Sequence, residues 1–359
     1  MTETTRSTHG RLIATVLERA WKQPSPLEIT AEELDQIAPL LLRSGAGALA
    51  WLRIRNTILE RATSASEIQQ AYRLHTLQAA VQEVKIEQLL KGLQEADIDP
   101  ILVKGWAIAR RYPEPGLRPY SDVDLIVRPD QYQSALDCIQ RLRISDCSVD
   151  LHKGVSNMGR MEVNKLYDRS QLITLGEVDI RIPGEEDHLR MLCFHLLRHG
   201  AWRPLWLSDI AIAVETRHVN FDWSLCLGSS SRESEWVACS MGLAERLVGA
   251  KIDDTPAAKR ARSLPAWLVN AVLRNWDRCS GASQREPLMT AFLNRIGSPR
   301  SLIEEARFRW DRPIEASLDV RAPFNSIPRL PFQLAAMTLR IPQISRHLIK
   351  AIRNRKEQR

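Results

Sequence analysis

Apolar residues recur at steps of three and four through most of this chain, and that period is broken in one region, between residues 97 and 184. Leu12, Ile13, Val16, Leu17 and Ala20 lie at helical spacing until Pro24 and Pro26 interrupt the run. Thr30 with Glu33, and Ser64 with Glu67, have the spacing of capping boxes, each just ahead of an apolar-periodic segment. The second predicts a long helix. Its stripe, Ile68, Tyr72, Ala79, Ile86, Leu89 and Leu93, runs on to Asp97. Beyond Pro183 and Gly184 the helical period returns and predicts helices over Glu186–His199, Leu205–Glu215, Ser234–Val248 and Pro265–Trp276, with a further segment opened by Ser283 and Glu286 that ends at Gly297.

Between these flanks the pattern is that of short strands. Pro100–Val103 is an apolar run bounded by turn residues, followed by Gly105 and a brief helical piece to Arg111. Tyr112–Gly116 is a loop by composition. Ser121–Val127 predicts a strand, Asp130–Leu142 a helix, Ser148–His152 a strand and Ile173–Ile182 one more. The expected organisation is therefore α+β. An N-terminal helical region (1–96) precedes an α/β core (97–184), a C-terminal helical domain (185–320) and a tail (321–359).

Composition adds limits. With 359 residues, 44% hydrophobic and 26% charged, the chain is an ordinary globular one of two or three packing units. Its longest stretch free of Asp, Glu, Lys and Arg, Ser263 to Leu273, falls short of the roughly 20 apolar residues a membrane-spanning helix needs. Met1 to Gly10 contains no apolar run of the secretory type. The six cysteines form no C-x-x-C pair and no His/Cys cluster, so reduced thiols in a cytoplasm are expected. The net charge of +7 is concentrated in residues 321–359, which carry nine Arg and Lys against Glu357 alone. In that tail Leu330, Phe332, Leu334, Met337, Leu339, Ile341, Ile344, Leu348 and Ile352 alternate with basic residues. Its readings are an amphipathic helix at an anionic membrane, a nucleic-acid contact, a partner-docking segment, or a helix that closes the C-terminal bundle.

The chemistry is concentrated in Ser121-Asp-Val-Asp-Leu-Ile-Val127. On a strand Asp122 and Asp124 share one face, while Val123, Leu125 and Val127 take the other. Two carboxylates converging to 4 Å would repel by about 4 kcal/mol at an effective dielectric near 20, a cost a divalent cation removes. The plain alternative is a solvated strand edge. Upstream, Val103-Lys-Gly105 ends a strand, where Gly105 and the helix after it suit a phosphate and Lys104 adds a point charge. Arg118 is either a phosphate contact or the structural partner of an acidic side chain. A third carboxylate on a neighbouring strand would complete a two-metal phosphoryl-transfer site. Asp150 is the first candidate, since its strand returns beside that of Asp124, and Asp179 the second. His152 shares a face with Asp150 and either orients a substrate or packs. His195 and His199, four apart on one helix, have metal-binding spacing, but His-Glu-x-x-His is missing. Helix contacts, with Asp209 as a partner, are the plainer reading. No P-loop, dinucleotide fingerprint or nucleophile elbow is present.

Val103-Lys-Gly-Trp-Ala, Tyr112-Pro, Arg118-Pro-Tyr-Ser-Asp-Val-Asp-Leu-Ile-Val and Val149-Asp-Leu-His, in this order, resemble the uncharacterised nucleotidyltransferase family of the DNA polymerase β-type superfamily. Downstream, Pro183-Gly-Glu-Glu-Asp-His-Leu, Leu192-Cys-Phe-His195, His199-Gly, Trp206-Leu-Ser-Asp209-Ile-Ala and Phe221-Asp-Trp223 continue the resemblance, which covers roughly residues 85–250. It implies a nucleotidyltransferase-type small mixed β-sheet with helices packed on it. Asp122 and Asp124 become ligands of Mg²⁺ (or Mn²⁺). Asp150 becomes the third metal-binding carboxylate and a proton acceptor, and Lys104, Gly105, Arg118 and Ser121 the nucleotide side of the site. The implied activity moves an NMP from an NTP to a hydroxyl of an acceptor, a peptide, sugar, small molecule, protein or RNA end, and releases pyrophosphate. The alternative is a non-catalytic nucleotide-binding or scaffold protein of the same fold, tethered by its basic tail. Two departures stand out: Trp106 follows Gly105 where the superfamily favours serine or glycine, and Lys153 follows His152 in place of an aromatic residue.

Overall fold

The computed structural model describes residues 8–22, 26–155, 162–278 and 313–339. Its strands are β1 (Ile101–Val103), β2 (Asp122–Val127), β3 (Ser148–Lys153), β4 (Gln171–Leu175) and β5 (Val178–Ile182), joined in one sheet of order β3-β2-β1-β5-β4. The sheet is mixed: β1 runs antiparallel to β2 and parallel to β5, β2 parallel to β3, and β4 antiparallel to β5. Around it lie α1 (Thr8–Leu17), α2 (Ala31–Ser44), α3 (Gly47–Ile54), α4 (Ala65–Glu95), α5 (Gly105–Ala109), α6 (Tyr132–Leu142), α7 (Val163–Arg169), α8 (Glu185–Arg198), α9 (Leu205–Glu215), α10 (Trp223–Leu227), α11 (Ser231–Val248), α12 (Ala258–Arg262), α13 (Ala266–Arg278) and α14 (Pro313–Asp319). The α+β class expected from the sequence is the class observed. The predicted segment from Ser283 to Gly297 lies outside the described residues.

The alternation along each strand decides which helix covers which face. Leu102, Val123, Leu125, Val127 and Ile180 bury one face against Leu89 and Leu93 of α4 and Ala135 and Cys138 of α6. Ile101, Val103 and Ile126 turn the other way, toward Leu166 and Tyr167 of α7 and Met191 of α8. A separate, larger core joins α1, α2 and α3 to α8, α9, α11 and α13, with Trp276, Ile13 and Leu17 among its fully buried side chains. Thus the helices on the two sides of the sheet in sequence share one interior, and α4 links it to the sheet.

Two local expectations change. Thr30 and Glu33 do form a capping box, with Glu33 N–H on Thr30 Oγ1 at 3.1 Å and Thr30 N–H on Glu33 Oε2 at 2.9 Å. Ser64 does not cap α4. The 3-10 turn Ile58–Arg61 precedes it, and Ser64 already has helical dihedrals (φ −80°, ψ −9°), which aim its side chain away from the orphan amides. Its own amide instead donates to Asp35 Oδ1 at 2.8 Å. The single strand predicted over Ile173–Ile182 is the hairpin β4–β5. Its period-2 pattern persists across a turn at Gly176, where φ is +59° and a Cβ would run into the Glu87 carboxylate.

Candidate active site

Sheet register assembles the acidic site. Val103 pairs with Asp124 across β1 and β2, so the next residue, Lys104, places Nζ 2.7 Å from Asp124 Oδ1. On the other side of β2 the parallel register sets Asp124 beside Asp150 and Ile126 beside His152. His152 Nε2 then lies 3.2 Å from Asp124 Oδ1 and 3.3 Å from Asp150 Oδ2. One ligand atom from each of Asp124, Asp150 and His152 falls within 4.8 Å of the others. The site is graded in depth, because the Asp124 side chain is 7% exposed and that of Asp150 is 58% exposed. Burial alone would raise the Asp124 pKa, yet the His152 and Lys104 contacts outweigh it and hold the carboxyl below its ordinary value.

The backbone at Lys104 is unusual. Its φ of +54° with ψ of −134° is a conformation that a residue with a side chain adopts at a cost of about 1–3 kcal/mol. This kink aims the ammonium across the sheet. Gly105, by contrast, is not forced by sterics, since a Cβ there would meet the Asp122 carbonyl at 3.4 Å, an ordinary contact. Trp106 is buried and donates its indole N–H to Glu83 Oε1 of α4 at 2.9 Å, so the residue that departs from the superfamily pattern anchors α5 to the long helix.

The other expected residues are placed differently. The metal-ligand set read from the sequence was Asp122, Asp124 and Asp150, whereas among the described residues the converging group is Asp124, Asp150 and His152. Asp122 is exposed at the first position of β2, and its charge acts on Arg118 and Arg203. Ser121 is exposed just before it. Arg118 is not aimed at a phosphate. It is buried, with Nη2 on Asp209 Oδ2 at 2.9 Å, while Tyr112 donates its hydroxyl to Asp209 Oδ1 at 2.7 Å. Of the two readings of Arg118, the structure carries the ion pair. Asp179 accepts from Thr174 Oγ1 at 2.7 Å on β5, and β1 separates its strand from β2, so it is no part of the cluster.

His195 and His199 border the same site. Their ring centroids are 4.5 Å apart, and His195 meets the ring of Trp206 on α9 edge-on at 4.5 Å. Asp209, the expected partner of this pair, is occupied by Arg118 and Tyr112 instead. Burial first, then His199 and Lys104, lower the His195 pKa, and burial first, then Lys104, lower that of His199, so the pair faces Lys104 and Asp124 in the neutral form. Arg203, which the sequence did not single out, donates to the Ser44 carbonyl at 2.7 Å. Burial, then Arg118, push its pKa down to about 10. No motif marks it; only the fold brings it near Asp122.

The profile of a family described as uncharacterised nucleotidyltransferase matches residues 30–142 and 140–248, more than half of the chain. The chain belongs to that family. The two matched segments meet at the end of α6, and together they span every strand, the acidic cluster and the helices α8, α9 and α11. Family membership makes nucleotidyl transfer the general activity class, and a mixed sheet with helical flanks is the fold that goes with it. No curated protein and no solved structure matches this nucleotidyltransferase. Among the described residues no helix is long and apolar enough to cross a membrane.

Proposed function

We propose that this nucleotidyltransferase moves a nucleoside monophosphate from an NTP to a hydroxyl of an acceptor and releases pyrophosphate. The observation that carries the reading is the convergence of Asp124, Asp150 and His152 within 4.8 Å, beside Lys104. The donor set fits a divalent cation. Asp124 Oδ1 already attracts Lys104 Nζ and His152 Nε2, so positive charge is favoured at that oxygen. Two carboxylates suit Mg²⁺ or Mn²⁺, and the imidazole nitrogen inclines the set toward Mn²⁺. When bound there, the ion neutralises the carboxylates and polarises the phosphoryl oxygens.

The chain's own groups do the rest. Lys104 swings from Asp124 to the negative oxygens of the polyphosphate. Asp150, the solvent-facing carboxylate, takes the proton of the attacking hydroxyl as that oxygen bonds to the α-phosphorus and the bond to the bridging oxygen of pyrophosphate breaks. Before a cation binds, His152 Nε2 bridges Asp124 and Asp150, and the same nitrogen would turn to the ion as a third ligand. The acceptor is a peptide, sugar, small molecule or protein that presents one hydroxyl.

The test is calorimetric titration of ATP, GTP, CTP and UTP, with and without Mg²⁺ or Mn²⁺, into wild type, Asp124→Asn and Asp150→Asn. The reading expects metal-dependent binding of at least one NTP that Asp124→Asn abolishes and Asp150→Asn weakens only a few-fold. Metal-independent binding that survives both substitutions would transfer the assignment to a non-catalytic nucleotide-binding scaffold.

A further inference from the structure

The end of α8 carries two histidines that the steps above leave unused. His195 lies on the last turn of the helix and His199 at its C-cap, one turn further on. His195 meets Trp206 edge-on with ring centroids 4.5 Å apart, and His199 lies 5.4 Å from the same indole. Trp206 is buried and is met in turn by Trp202 at 5.5 Å, so α9 braces both imidazoles on one side. Helix packing explains that side only. Among the described residues neither ring takes part in a hydrogen bond or an ion pair.

The other side of the pair opens on a cleft. His199 is exposed and His195 half-buried, yet enough protein surrounds both rings for burial to lower their pKa values. A side chain crowded by protein and still reached by water lines a concave wall. His188 on the same helix is the contrast, buried at 4% exposure with Nε2 shut away from water and unbonded. The charges of Lys104 and Asp124 act on both His195 and His199, so this wall and the acidic cluster share one cleft.

The charge of the wall says what it can hold. A neutral imidazole offers one N–H donor and one acceptor nitrogen, which pair with a hydroxyl but bring no charge to a phosphate. The carboxyl end of α8 adds partial negative charge, which disfavours phosphate further. In an NTP whose polyphosphate lies at Lys104, the neutral polar group next to the phosphates is the ribose, and the base stands beyond it. Two imidazoles with centroids 4.5 Å apart can reach two neighbouring hydroxyls at once. We propose that His195 and His199 bind the 2′- and 3′-hydroxyls of the donor nucleotide and make the site selective for ribonucleotides. The assignment rests on the nucleotidyl-transfer reading above.

The experiment is calorimetry with Mn²⁺ of whichever of ATP, GTP, CTP and UTP the full-length protein binds tightest, against the 2′,3′-dideoxy form of the same nucleotide. It is repeated with His199→Phe and His195→Phe, which keep a ring against Trp206 and remove its nitrogens. Wild type is expected to bind the ribonucleotide about tenfold tighter than the dideoxynucleotide, the equivalent of one or two neutral hydrogen bonds. Each variant is expected to lower that ratio to about threefold or less. A histidine that only packs would weaken both ligands together and leave the ratio alone. His199 is exposed, so its variant carries the test even where His195→Phe disturbs the fold. A wild-type ratio near one, or a ratio preserved in His199→Phe, would overturn the proposal while NTP binding itself stands. Failure of wild type to bind any NTP would overturn the nucleotidyl-transfer reading and this assignment with it.

Discussion

Lys104 Nζ and Asp124 Oδ1 lie 2.7 Å apart across the β1–β2 pair, both side chains largely withdrawn from water. The same oxygen lies 3.2 Å from His152 Nε2. A lysine in this position competes with a divalent ion for Asp124 and is the nearest cation for a triphosphate. Lys104→Met keeps the length of the side chain and removes the charge. The expected outcome is about tenfold tighter Mn²⁺ binding without nucleotide, ~1.4 kcal/mol and a fraction of the Coulomb energy at this separation, together with weaker NTP binding. Calorimetry in the two conditions reads both, and unchanged or weaker Mn²⁺ binding would sink the competition.

The ligand set is tested by the order in which single substitutions damage Mn²⁺ binding. Asp124→Asn should abolish it, and His152→Ala should weaken it about tenfold or more. Asp122→Asn, at an exposed position outside the converging group, should change it by less than about threefold. Electron paramagnetic resonance of free Mn²⁺ counts the bound ion directly. If Asp122→Asn proves as damaging as Asp124→Asn and His152→Ala proves silent, the ligands are the three aspartates.

How much of this was legible follows from how far each feature reaches along the chain. Asp122 and Asp124 share a face because a strand alternates every residue, a property of the segment itself. Asp150 could be placed because a strand, a helix and a second strand in succession bring the two strands side by side, as β2 and β3 are. His152 was visible as a neighbour of Asp150, but its place against Asp124 depends on a register that pairs it with Ile126, and no local pattern encodes that. Arg118 had two readings until its partner was known, and that partner, Asp209, is 91 residues away. The β4–β5 hairpin has no local break in its pattern, because alternation continues through Gly176. The shared core of α1, α2 and α3 with α8, α9, α11 and α13 joins segments far apart in sequence, so a division at residues 96 and 184 follows changes of period and not the boundaries of hydrophobic cores.

Asp209 is fully buried, and its two oxygens serve Arg118 and Tyr112. This pair ties the segment just before β2 to α9, and so sets where Asp122 and Asp124 begin. Asp209→Ala strands a buried guanidinium and should cost about 3–5 kcal/mol in urea unfolding, against about 1 kcal/mol for Tyr112→Phe. The double variant Arg118→Met/Asp209→Leu should lose less than the sum of its single changes, because neither charge is left alone. If Arg118→Met instead left stability intact and weakened NTP binding, Arg118 would be a phosphate contact after all.

Acid should destabilise the protein through its buried histidines. His188 is buried, and desolvation, then Arg111, Arg110 and Arg118, push its pKa down to about 3. Burial also lowers His75, His195 and His199. In the unfolded chain these groups titrate near the ordinary 6.5, so between that value and about 3 the unfolded state binds a proton at His188 that the folded state refuses. Stability from His188 is therefore complete above about pH 6.5 and is lost as pH falls, by at most about 1.4 kcal/mol per pH unit. The melting temperature should drop steadily from about pH 7 to about pH 5, and His188→Gln, which has no imidazole to protonate, should show a shallower slope whatever its starting stability. A melting temperature that holds or rises on acidification would mean that these histidines, once protonated, gain anionic partners, and an unchanged slope in His188→Gln would move the effect to the other three.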